Sequence, residues 1–289
     1  MRFTPGMGES NCVWAEFDMV WEWRSKPLLT VNLYFTIVYM RDNPSVCWLD
    51  DGDPFPAPEL AWPAGSPAPG LLAIGGGLSA RRLLDAYGQG IFPWFSPGQP
   101  VCWFHTDPRM VLRPSHFVLH HHFKKTLRRL VREERLTIHW DEPFEEIMGL
   151  CATIERPGQK GSWIGAEMIE AYGRLHRLGH AFCLTARIDG ARVGGLYGVN
   201  LGRMVFGESM FSLRPNGSKL ALAALVAWAR HHQLPLIDAQ QDTAHLRSLG
   251  AETLQRARFM AEMTPLTPQA TPAQSFSPIL WSLLWPDRK

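Results

Sequence analysis

The feature that most constrains the fold is a continuous series of helical and strand patterns between Gly165 and Gln240. After Gly165, apolar residues recur at helical spacing and stop at Gly179, which predicts an amphipathic helix. The segment AFCLTARIDGARVGGLYGV predicts two strands joined by a tight turn, and GRMVFGESMFS predicts a third strand. A long apolar helix in NGSKLALAALVAWARHHQ and a buried strand in LPLIDAQ complete the pattern. Helix, meander, helix and strand in this order indicate an α+β layer structure.

Composition limits the number of domains and the kinds of partner. The chain has 289 residues, of which 46% are hydrophobic, so it can bury the core of one large domain or two ordinary ones. Its formal net charge is +2, so a polyanionic partner must be met by a local basic patch. The five cysteines are scattered and form no CxxC pair, which argues against a disulfide framework and against a zinc site. This cysteine usage fits a reducing cytoplasm.

Both ends of the chain differ from its centre. The apolar run of residues 28–40 is shorter than the roughly 20 residues that a membrane-spanning helix needs, and acidic residues before it do not suit a secretory signal. Residues 1–40 resemble nothing that follows, and a second methionine, Met40, stands where loop sequence begins, which predicts a non-core extension or an overlong start. Residues 50–70 are rich in Pro and Gly and predict an extended loop. The Pro-, Thr- and Ser-rich tail after about Thr264 is expected to be peripheral.

Two patterns that suggest phosphate or metal binding lack the residues that would complete them. Gly75-Gly76-Gly77 precedes a helix that Ser79 is predicted to cap, but no GK[ST] follows, which disfavours a nucleotide-binding loop. The adjacent histidines at 120–122 diverge on a helix, and no carboxylate or cysteine recurs at ligand spacing. Neither a cofactor nor a metal is therefore expected.

A basic stripe is predicted on the helix that follows these histidines. Its residues occur at i, i+1, i+4, i+5 and i+8, which places them on one helical face. They are Lys124, Lys125, Arg128, Arg129 and Arg132. Such a stripe suits phosphates, although composition alone favours an ordinary solvated face.

Two strand patterns carry the candidates for chemistry. Asp238 and Gln240 are two positions apart on a buried strand, and because successive side chains alternate between faces, both can point into one site. By the same reasoning Phe206, Glu208 and Met210 share a face, which puts an acid between two large apolar groups. A carboxylate that lines an apolar pocket can receive an amine substrate, and the alternative is an ordinary Glu paired with an arginine.

Three tryptophans lie in segments punctuated by Gly or Pro: Trp94, Trp103 and Trp163. Indoles in loops can stack on bases, which contributes about 1–3 kcal/mol per base in single-strand sites. Taken singly, each is better explained by packing. No GxSxG elbow and no kinase motif set occurs, so covalent acyl transfer and phosphoryl transfer have no support in the sequence.

The chain resembles the leucyl/phenylalanyl-tRNA–protein transferases of bacteria between about Phe55 and Phe259. Several motifs occur in order and at family-like spacing, which makes them more specific together than singly. They are FPAPELA, GLLAIGGGLS, RLLDAYGQGIFPWFSPGQP, DPRMVLRP, GSWI, AYGRLHRLGHA, VGGLYG, FGESMFS, NGSK, LIDAQ and HLRSLGA.

The resemblance implies a fold and a domain organisation. A small N-terminal α/β domain over residues 41–140 would include the basic helix. A catalytic domain over residues 141–262 would be similar to the GCN5-related acetyltransferases, with a central, mostly antiparallel sheet flanked by helices. Residues 263–289 would form the peripheral tail.

The resemblance also implies an activity. It is the transfer of Leu or Phe, with Met as a further candidate, from aminoacyl-tRNA to the N-terminal Arg or Lys of acceptor proteins. This marks the acceptors for degradation by the N-degron pathway. The implied partners are the aminoacyl-tRNA and those proteins, without a membrane, and the protein would act as a monomer in the cytoplasm.

Residue roles carried over by motif follow from the same resemblance. Asp238 and Gln240 become the catalytic pair. Glu208, Ser209 and Met210, together with Phe206, would line the aminoacyl and acceptor site. The tRNA contacts would be Trp94 and Trp163 around the terminal adenosine, Tyr87 at the acceptor end, and Lys124, Lys125, Arg128 and Arg129 on the basic stripe.

The chain departs from the family pattern at four places, none of which is Glu208, Asp238 or Gln240. Gly77 stands where Asp is usual, and Leu213 stands where Arg follows the serine. Residues 104–106, Phe-His-Thr, replace the usual Trp-Ser-Pro, and two histidines at 120–121 replace a common Ser-Arg pair. These differences concern the N-terminal lobe and one phosphate contact.

The residues suit direct aminolysis of an ester. An α-amine with a pKa of about 8 has a useful neutral fraction, so orientation can supply most of the catalysis. The amide oxygen of Gln240 can accept a hydrogen bond from the amine, while Asp238 orients that amide and stabilises the developing ammonium.

Two other classes stay open. An N-acetyltransferase would need a backbone cradle for acetyl-CoA, which RPNGSK at 214–219 approaches, except that Lys219 stands where a small residue is required. A non-enzymatic RNA-binding module would explain the stripe and the tryptophans, but not Glu208, Asp238 and Gln240.

Overall fold

Two β-sheets organise the structure, a computed structural model that describes residues 46–153 and 162–285. The smaller sheet and its helix comprise β1 (Cys47–Leu49), β2 (Leu71–Gly75), α1 (Ala80–Gly88), β3 (Phe92–Pro93) and β4 (Cys102–Phe104). The strand order is β1-β2-β4-β3. Helix α1 begins where predicted, because the Ser79 hydroxyl accepts a 3.2 Å hydrogen bond from the Arg82 amide.

The remaining elements build the larger sheet and its cover. Its strands are β5 (Arg109–Leu112), β6 (Leu136–Trp140), β7 (Ala181–Ile188), β8 (Ala191–Leu201), β9 (Met204–Ser212), β10 (Ile237–Gln240) and β11 (Glu252–Leu254). The helices are α2 (His121–Arg132), α3 (Phe144–Thr153), α4 (Ala166–Arg177), α5 (Gly217–His231), α6 (Ala244–Ser248) and α7 (Arg256–Met263). Short 3-10 helices occupy 58–60, 114–116 and 278–284.

The larger sheet has seven strands in the order β11-β5-β10-β9-β8-β7-β6. Every neighbouring pair is antiparallel except β9 and β10, which run parallel. Parallel neighbours need a crossover, and here the crossover contains α5. The expected α+β class, with a central and mostly antiparallel sheet flanked by helices, is confirmed.

The predicted meander and long helix are also confirmed. Strands β7, β8 and β9 pair in sequence, and Asp189 and Gly190 form the predicted turn with positive φ angles of 52° and 79°. Eleven of the 15 residues of α5 are buried, because the helix packs between the sheet and the 3-10 helix at 278–284. A helix that is apolar on all sides requires such a double cover.

Glycine allows α5 to approach the sheet closely. A Cβ atom on Gly217 would lie 1.9 Å from the carbonyl oxygen of Val193 and 3.0 Å from the Cα of Gly194. No other residue fits this contact, so the two glycines bring the start of α5 against β8.

An apolar core lies on each face of the larger sheet. Val205 and Phe206 are adjacent on β9 and belong to different cores, as strand alternation requires. The first core contains Phe206 and continues into the smaller sheet through Tyr87 and Trp103. The second core lies under α2 and α5. The two sheets therefore share one core, on one side of the larger sheet.

The structure corrects the expected division of the chain. The boundary expected between 140 and 141 is wrong, because β5, α2 and β6 already belong to the larger sheet and its second core. The change from the smaller to the larger sheet occurs between Phe104 and Arg109. Residues 1–40, expected to be an extension, lie outside the described residues.

The tail after residue 263 is not peripheral along its whole length. Leu280, Trp281 and Leu284 are buried in the second core. The indole N–H of Trp228 in α5 also donates a 2.8 Å hydrogen bond to the carbonyl oxygen of Ala273. Among the helices of residues 46–153 and 162–285, none is long and apolar enough to cross a membrane.

Candidate active site

A cavity of about 440 Å³ opens beside the parallel pair β9 and β10. The two strands pair only at Val205–Ile237 and Phe206–Asp238, and both lose regular geometry immediately afterwards. Polar residues of the wall come from the middle of β9 and from the end of β10. They are Glu208, Ser209, Asp238, Gln240 and Gln241, with Ser212, Ser218, Thr243 and His245 nearby.

A β-bulge on β9 presents Glu208. Gly207 faces Gly198 and Ser209 faces Tyr197, so Glu208 is the extra residue without a partner on β8. The bulge shifts the alternation, and Phe206 therefore packs in the first core while Met210 packs against the second. The prediction that Phe206, Glu208 and Met210 share a face is wrong for this reason.

The bulge also decides which of these residues reach the cavity. Glu208, Ser209 and Met210 line it, as expected. Phe206 is fully buried, and its ring centroid lies 4.9 Å from that of Tyr87. The expected contribution of Phe206 to the wall is therefore wrong, and this side chain supports the wall from behind.

A second bulge, on β10, presents Gln240. Asp238 faces Val111 and Gln240 faces Met110 on β5, so Ala239 is the extra residue. Gln240 adopts a left-handed backbone with a φ of 53°, which is uncommon outside glycine. Both Asp238 and Gln240 line the cavity as predicted, but the bulge and not regular alternation brings them there.

Asp238 is fully buried in an ion pair with Arg109. The Arg109 guanidinium donates Nε–H to Oδ1 at 2.8 Å and Nη2–H to Oδ2 at 2.6 Å. The rings of Phe92 and Phe259 lie 4.7 and 4.8 Å from this guanidinium. Asp238 Oδ1 also accepts the Gln240 backbone N–H at 3.0 Å. The carboxylate thus fixes the backbone of Gln240, not its side-chain amide.

Glu208 holds the amide of Gln240 instead. The Gln240 side-chain Nε2–H donates a 3.0 Å hydrogen bond to Glu208 Oε1. Burial raises the pKa of Glu208 from the ordinary 4.5 to about 8, and the charge of Asp238 adds to the rise. Hydrogen bonds from Tyr87 and Gln240, and the charge of Arg109, act in the opposite direction. At neutral pH this carboxyl group is therefore mostly protonated.

Tyr87 lies behind Glu208 and not on the cavity wall. It is fully buried, its hydroxyl is 2.5 Å from that of Tyr172, and burial holds its pKa well above the ordinary value. Tyr87 therefore has no exposed surface in this structure for the expected contact with the tRNA acceptor end. Its contacts make it a support for Glu208.

The tryptophans divide into two groups. Trp94 and Trp163 are half-buried and line the same cavity, so the structure brings them together as expected. Trp103 is fully buried, and its indole N–H donates a 2.8 Å hydrogen bond to the carbonyl oxygen of Gly75. Trp103 is therefore a packing residue and not a stacking platform.

The basic stripe forms on α2 as predicted. Phe123, Leu127 and Leu130 face the second core, which leaves the charged face outward. A shallow cavity of about 590 Å³ is lined by His121, Lys124, Lys125, Thr126, Arg128, Arg129 and Arg132. Among the described residues only Arg132 of this stripe has an acidic partner, Glu133, at 3.7 Å. No group of His, Cys, Asp and Glu in the same residues could hold a metal ion.

Sequence reasoning missed Arg109, although one signal was present: an arginine at the start of the apolar strand pattern RMVL. It also missed the apolar part of the cavity, which comes from elements distant in the chain. Those residues are Leu112, Leu196, Leu222, Leu225, Ile237 and Leu246.

In this α+β fold, Trp94 and Trp163 line the same cavity as the hydrogen-bonded pair Glu208 and Gln240. Comparison with known proteins identifies the family. The family model "Leucyl/phenylalanyl-tRNA protein transferase" matches residues 111–264, and the model of its N-terminal domain matches residues 76–107. The chain belongs to the leucyl/phenylalanyl-tRNA protein transferase family and is an aminoacyltransferase.

Relatives of that name cover most of the chain. One from a Polaromonas species is 48% identical over 236 residues, which are 82% of this chain and 92% of the relative. One from Paraburkholderia phytofirmans is 51% identical over 218 residues, which are 75% of this chain and 89% of the relative.

Solved structures show only distant similarity. The similarity to FemX covers 60% of this chain and 66% of the FemX chain, with 12% identity and a TM-score of 0.39. A GCN5-related N-acetyltransferase from Kribbella flavida matches 58% of each chain, with 13% identity and a TM-score of 0.30. Similarity at this level identifies neither a substrate nor a mechanism.

Proposed function

We propose that this transferase moves Leu or Phe from aminoacyl-tRNA to the N-terminal Arg or Lys of acceptor proteins, which marks them for degradation by the N-degron pathway. Family membership supports the donor and the type of reaction. The observation that carries the proposal is the hydrogen bond between the Gln240 amide and the raised-pKa carboxyl of Glu208 in a cavity shared with Trp94 and Trp163. The protein works in the cytoplasm, where aminoacyl-tRNA is made, and acts as a monomer.

The apolar part of the cavity supports the choice of Leu and Phe as donors. Leu112, Leu196 and Ile237 from the sheet meet Leu222 and Leu225 from α5, and Met210 adds a flexible side chain. A pocket of this kind discriminates between similar apolar side chains by only about 1–3 kcal/mol. The same pocket therefore admits Met as a further donor.

The reaction is direct aminolysis of the aminoacyl ester. The neutral α-amine of the acceptor attacks the ester carbonyl carbon, a C–N bond forms, and the bond from that carbon to the ribose oxygen of tRNA breaks. One proton passes overall from the amine to the departing ribose oxygen. The ester is already reactive, so holding amine and ester in one cavity supplies most of the rate enhancement, and no covalent enzyme intermediate is needed.

Gln240 orients the attacking amine. Its Nε2–H is engaged by Glu208, which directs the amide so that Oε1 can accept a hydrogen bond from the amine. This contact aims the nitrogen lone pair at the ester carbonyl and stabilises positive charge on the nitrogen as the bond forms.

Asp238 acts through the backbone of Gln240. Its carboxylate is occupied by Arg109 and by the Gln240 N–H, so it neither touches the side-chain amide nor meets the substrate as a free charge. This replaces the expectation that Asp238 orients the amide, which is the role of Glu208.

The tRNA is held at two places. Trp94 and Trp163 flank the terminal adenosine by stacking, and Lys124, Lys125, Arg128 and Arg129 of α2 bind backbone phosphates. Support comes from the position of both indoles at the cavity and from the outward face of α2, whose first four cations have no acidic partner among the described residues.

The proposal is tested with leucyl-tRNA carrying labelled leucine and two peptides that differ only in their first residue, Arg or Ala. Label should enter the Arg peptide alone. Gln240→Ala should lower the rate of transfer by about 100-fold or more, since it removes a group placed at the reacting nitrogen, while the Kd for tRNA stays the same. Gln269→Ala is the matched control, because this side chain is exposed and donates its Nε2–H to the Pro265 carbonyl oxygen, away from the cavity.

Each part of the proposal has its own contrary result. Equal label in both peptides would refute the acceptor rule. Full activity of Gln240→Ala would refute the role of Gln240, and tRNA binding by the wild type without any transfer would indicate an RNA-binding protein. A stable aminoacyl-enzyme after quenching would refute direct aminolysis.

A further inference from the structure

The segment that joins the two sheets, residues 105–108, is fixed at both ends. The His105 backbone N–H donates a 2.7 Å hydrogen bond to the carbonyl oxygen of Gly70. Arg256, the first residue of α7, donates from its side chain to the His105 carbonyl oxygen and ring Nδ1 at 3.3 Å each, and from its backbone N–H to the Asp107 carboxylate at 3.0 Å. Thr106 therefore lies in a segment whose position is set by both sheets and by α7.

From this position Thr106 reaches Gln240. Its hydroxyl donates a 3.0 Å hydrogen bond to the Gln240 backbone carbonyl oxygen. The backbone N–H of Gln240 donates at 3.0 Å to Asp238 Oδ1. Both backbone polar groups of Gln240 are thus bound by side chains, at the point where the bulge shifts the pairing with β5.

Gln240 needs this fixation because its backbone is left-handed, with a φ of 53°. A non-glycine residue keeps such a conformation only when its surroundings determine it. If the carbonyl were released, the peptide could rotate, and the side-chain amide would leave the 3.0 Å contact with Glu208. A displacement of this size is enough to slow a reaction that depends on orientation.

We propose that Thr106 is a positioning residue for the transfer reaction. Thr106 holds Gln240 in its left-handed conformation by binding the backbone carbonyl oxygen, while Asp238 binds the backbone N–H. This inference rests on the proposed function. Thr106 acts through Gln240 and does not touch the reacting groups, so it affects the rate of transfer and not the binding of tRNA.

The test compares Thr106→Val, which keeps the branched shape without the hydroxyl, with Thr106→Ser, which keeps the hydroxyl. Transfer of labelled leucine from leucyl-tRNA to the Arg peptide is measured for the full chain. Thr106→Val should lower kcat by about tenfold and leave KM for leucyl-tRNA within about twofold of wild type, and Thr106→Ser should restore kcat to within about twofold. Thr106→Ala provides a second variant without the hydroxyl, should Thr106→Val not fold.

Thr267→Val is the matched control, since the Thr267 hydroxyl donates a 3.2 Å hydrogen bond to the Thr264 carbonyl oxygen away from the cavity. It should leave kcat unchanged. Wild-type kcat in Thr106→Val or Thr106→Ala, or an equal loss in Thr106→Ser, overturns the inference. Absence of transfer by the wild type overturns the proposed function, and with it the reaction for which Thr106 would position Gln240.

Discussion

At the scale of single residues, the two acids of the cavity have opposite environments. Asp238 is paired with Arg109 and carries no free charge toward the cavity. Glu208 has no cation within hydrogen-bonding contact among the described residues, and burial keeps it protonated at neutral pH, with a pKa of about 8. Environments that differ in this way give two carboxyl groups separate roles in one site. Asp238 supports the backbone of Gln240, and Glu208 holds its side-chain amide.

The raised pKa of Glu208 makes the stability of the fold depend on pH. The folded state holds this proton more tightly than the unfolded state, where the pKa is near 4.5. The stabilisation by Glu208 is therefore complete below about pH 4.5 and is lost as the pH rises through about 8. Glu208→Gln mimics the protonated carboxyl at every pH. The free energy of unfolding of the variant, relative to wild type, should therefore increase between about pH 4.5 and 8 and stay constant at higher pH.

Urea unfolding at a series of pH values between about 5 and 9 measures this difference. Glu167→Gln, at an exposed position in the first turn of α4, gives the baseline for replacing a carboxylate by an amide. A difference between Glu208→Gln and wild type that does not change with pH would contradict the assigned environment of Glu208.

At the scale of elements, the charged face of α2 provides the next prediction. Replacing both Lys125 and Arg128 by Ala should raise KM for aminoacyl-tRNA and leave kcat nearly unchanged, because these side chains lie on a helix apart from the cavity. The plot of log Kd against log salt should also become shallower, by about 0.7–0.9 for each phosphate that the variant no longer neutralises. Filter binding of tRNA at several salt concentrations measures the slope.

The control for this charge removal is Arg258→Ala on α7, an exposed arginine paired with Glu262 at 3.0 Å. It should change neither KM nor the slope. If the double variant behaved like Arg258→Ala, the basic face of α2 would be an ordinary solvated surface.

The elements that the sequence predicts well are those in which apolar residues recur at a regular helical or strand spacing. Strands β7 to β9 and helices α2 and α5 follow from apolar spacing, because each is long enough for a repeat to show. Strands β1, β3 and β11 have only two or three residues and show no repeat. Strand β5 pairs with β10, and its Arg109 bonds Asp238, which lies 129 residues further along the chain. The membership of β5 in the larger sheet therefore depends on pairing that no local pattern reports.

The candidate site was predictable in its residues but not in its geometry. Alternation placed Asp238 with Gln240 and Glu208 with its neighbours, and all three line the cavity. The bulges at Glu208 and Ala239 could not be predicted, because a bulge exists only relative to the register of a partner strand. They explain why Phe206 lies outside the cavity, and why Glu208 and not Asp238 holds the Gln240 amide.

At the scale of the whole molecule, the cavity depends on both sheets. Trp94 follows β3 of the smaller sheet, whereas Glu208 lies at the bulge of β9 and Gln240 ends β10 in the larger sheet. The first core runs through both sheets, so these groups are held in one packed unit. The segment at 105–108 adds a polar connection, from the smaller sheet through Thr106 to Gln240.

The end of the described chain is part of this unit, which leads to a prediction about overall stability. Trp281 is 2% exposed and packs in the second core, while Ile279 on the same 3-10 helix is 72% exposed. Trp281→Ala should lower the free energy of unfolding by about 3–5 kcal/mol, because it leaves a cavity against α5. Ile279→Ala should change it by less than about 0.5 kcal/mol, since its side chain is already in water.

Urea unfolding measures the free energy of unfolding of both variants and so decides whether the tail is part of the folded core or peripheral to it. The tail also touches the charged face of α2, because the Arg128 guanidinium lies 5.4 Å from the ring centroid of Trp285. Loosening the tail should therefore raise KM for aminoacyl-tRNA in Trp281→Ala and leave it unchanged in Ile279→Ala. If both variants unfolded like wild type, the residues after 263 would be a dispensable extension, as their composition alone suggests. A loss confined to Trp281→Ala would show that the 3-10 helix closes the core on which α2 and α5 rest.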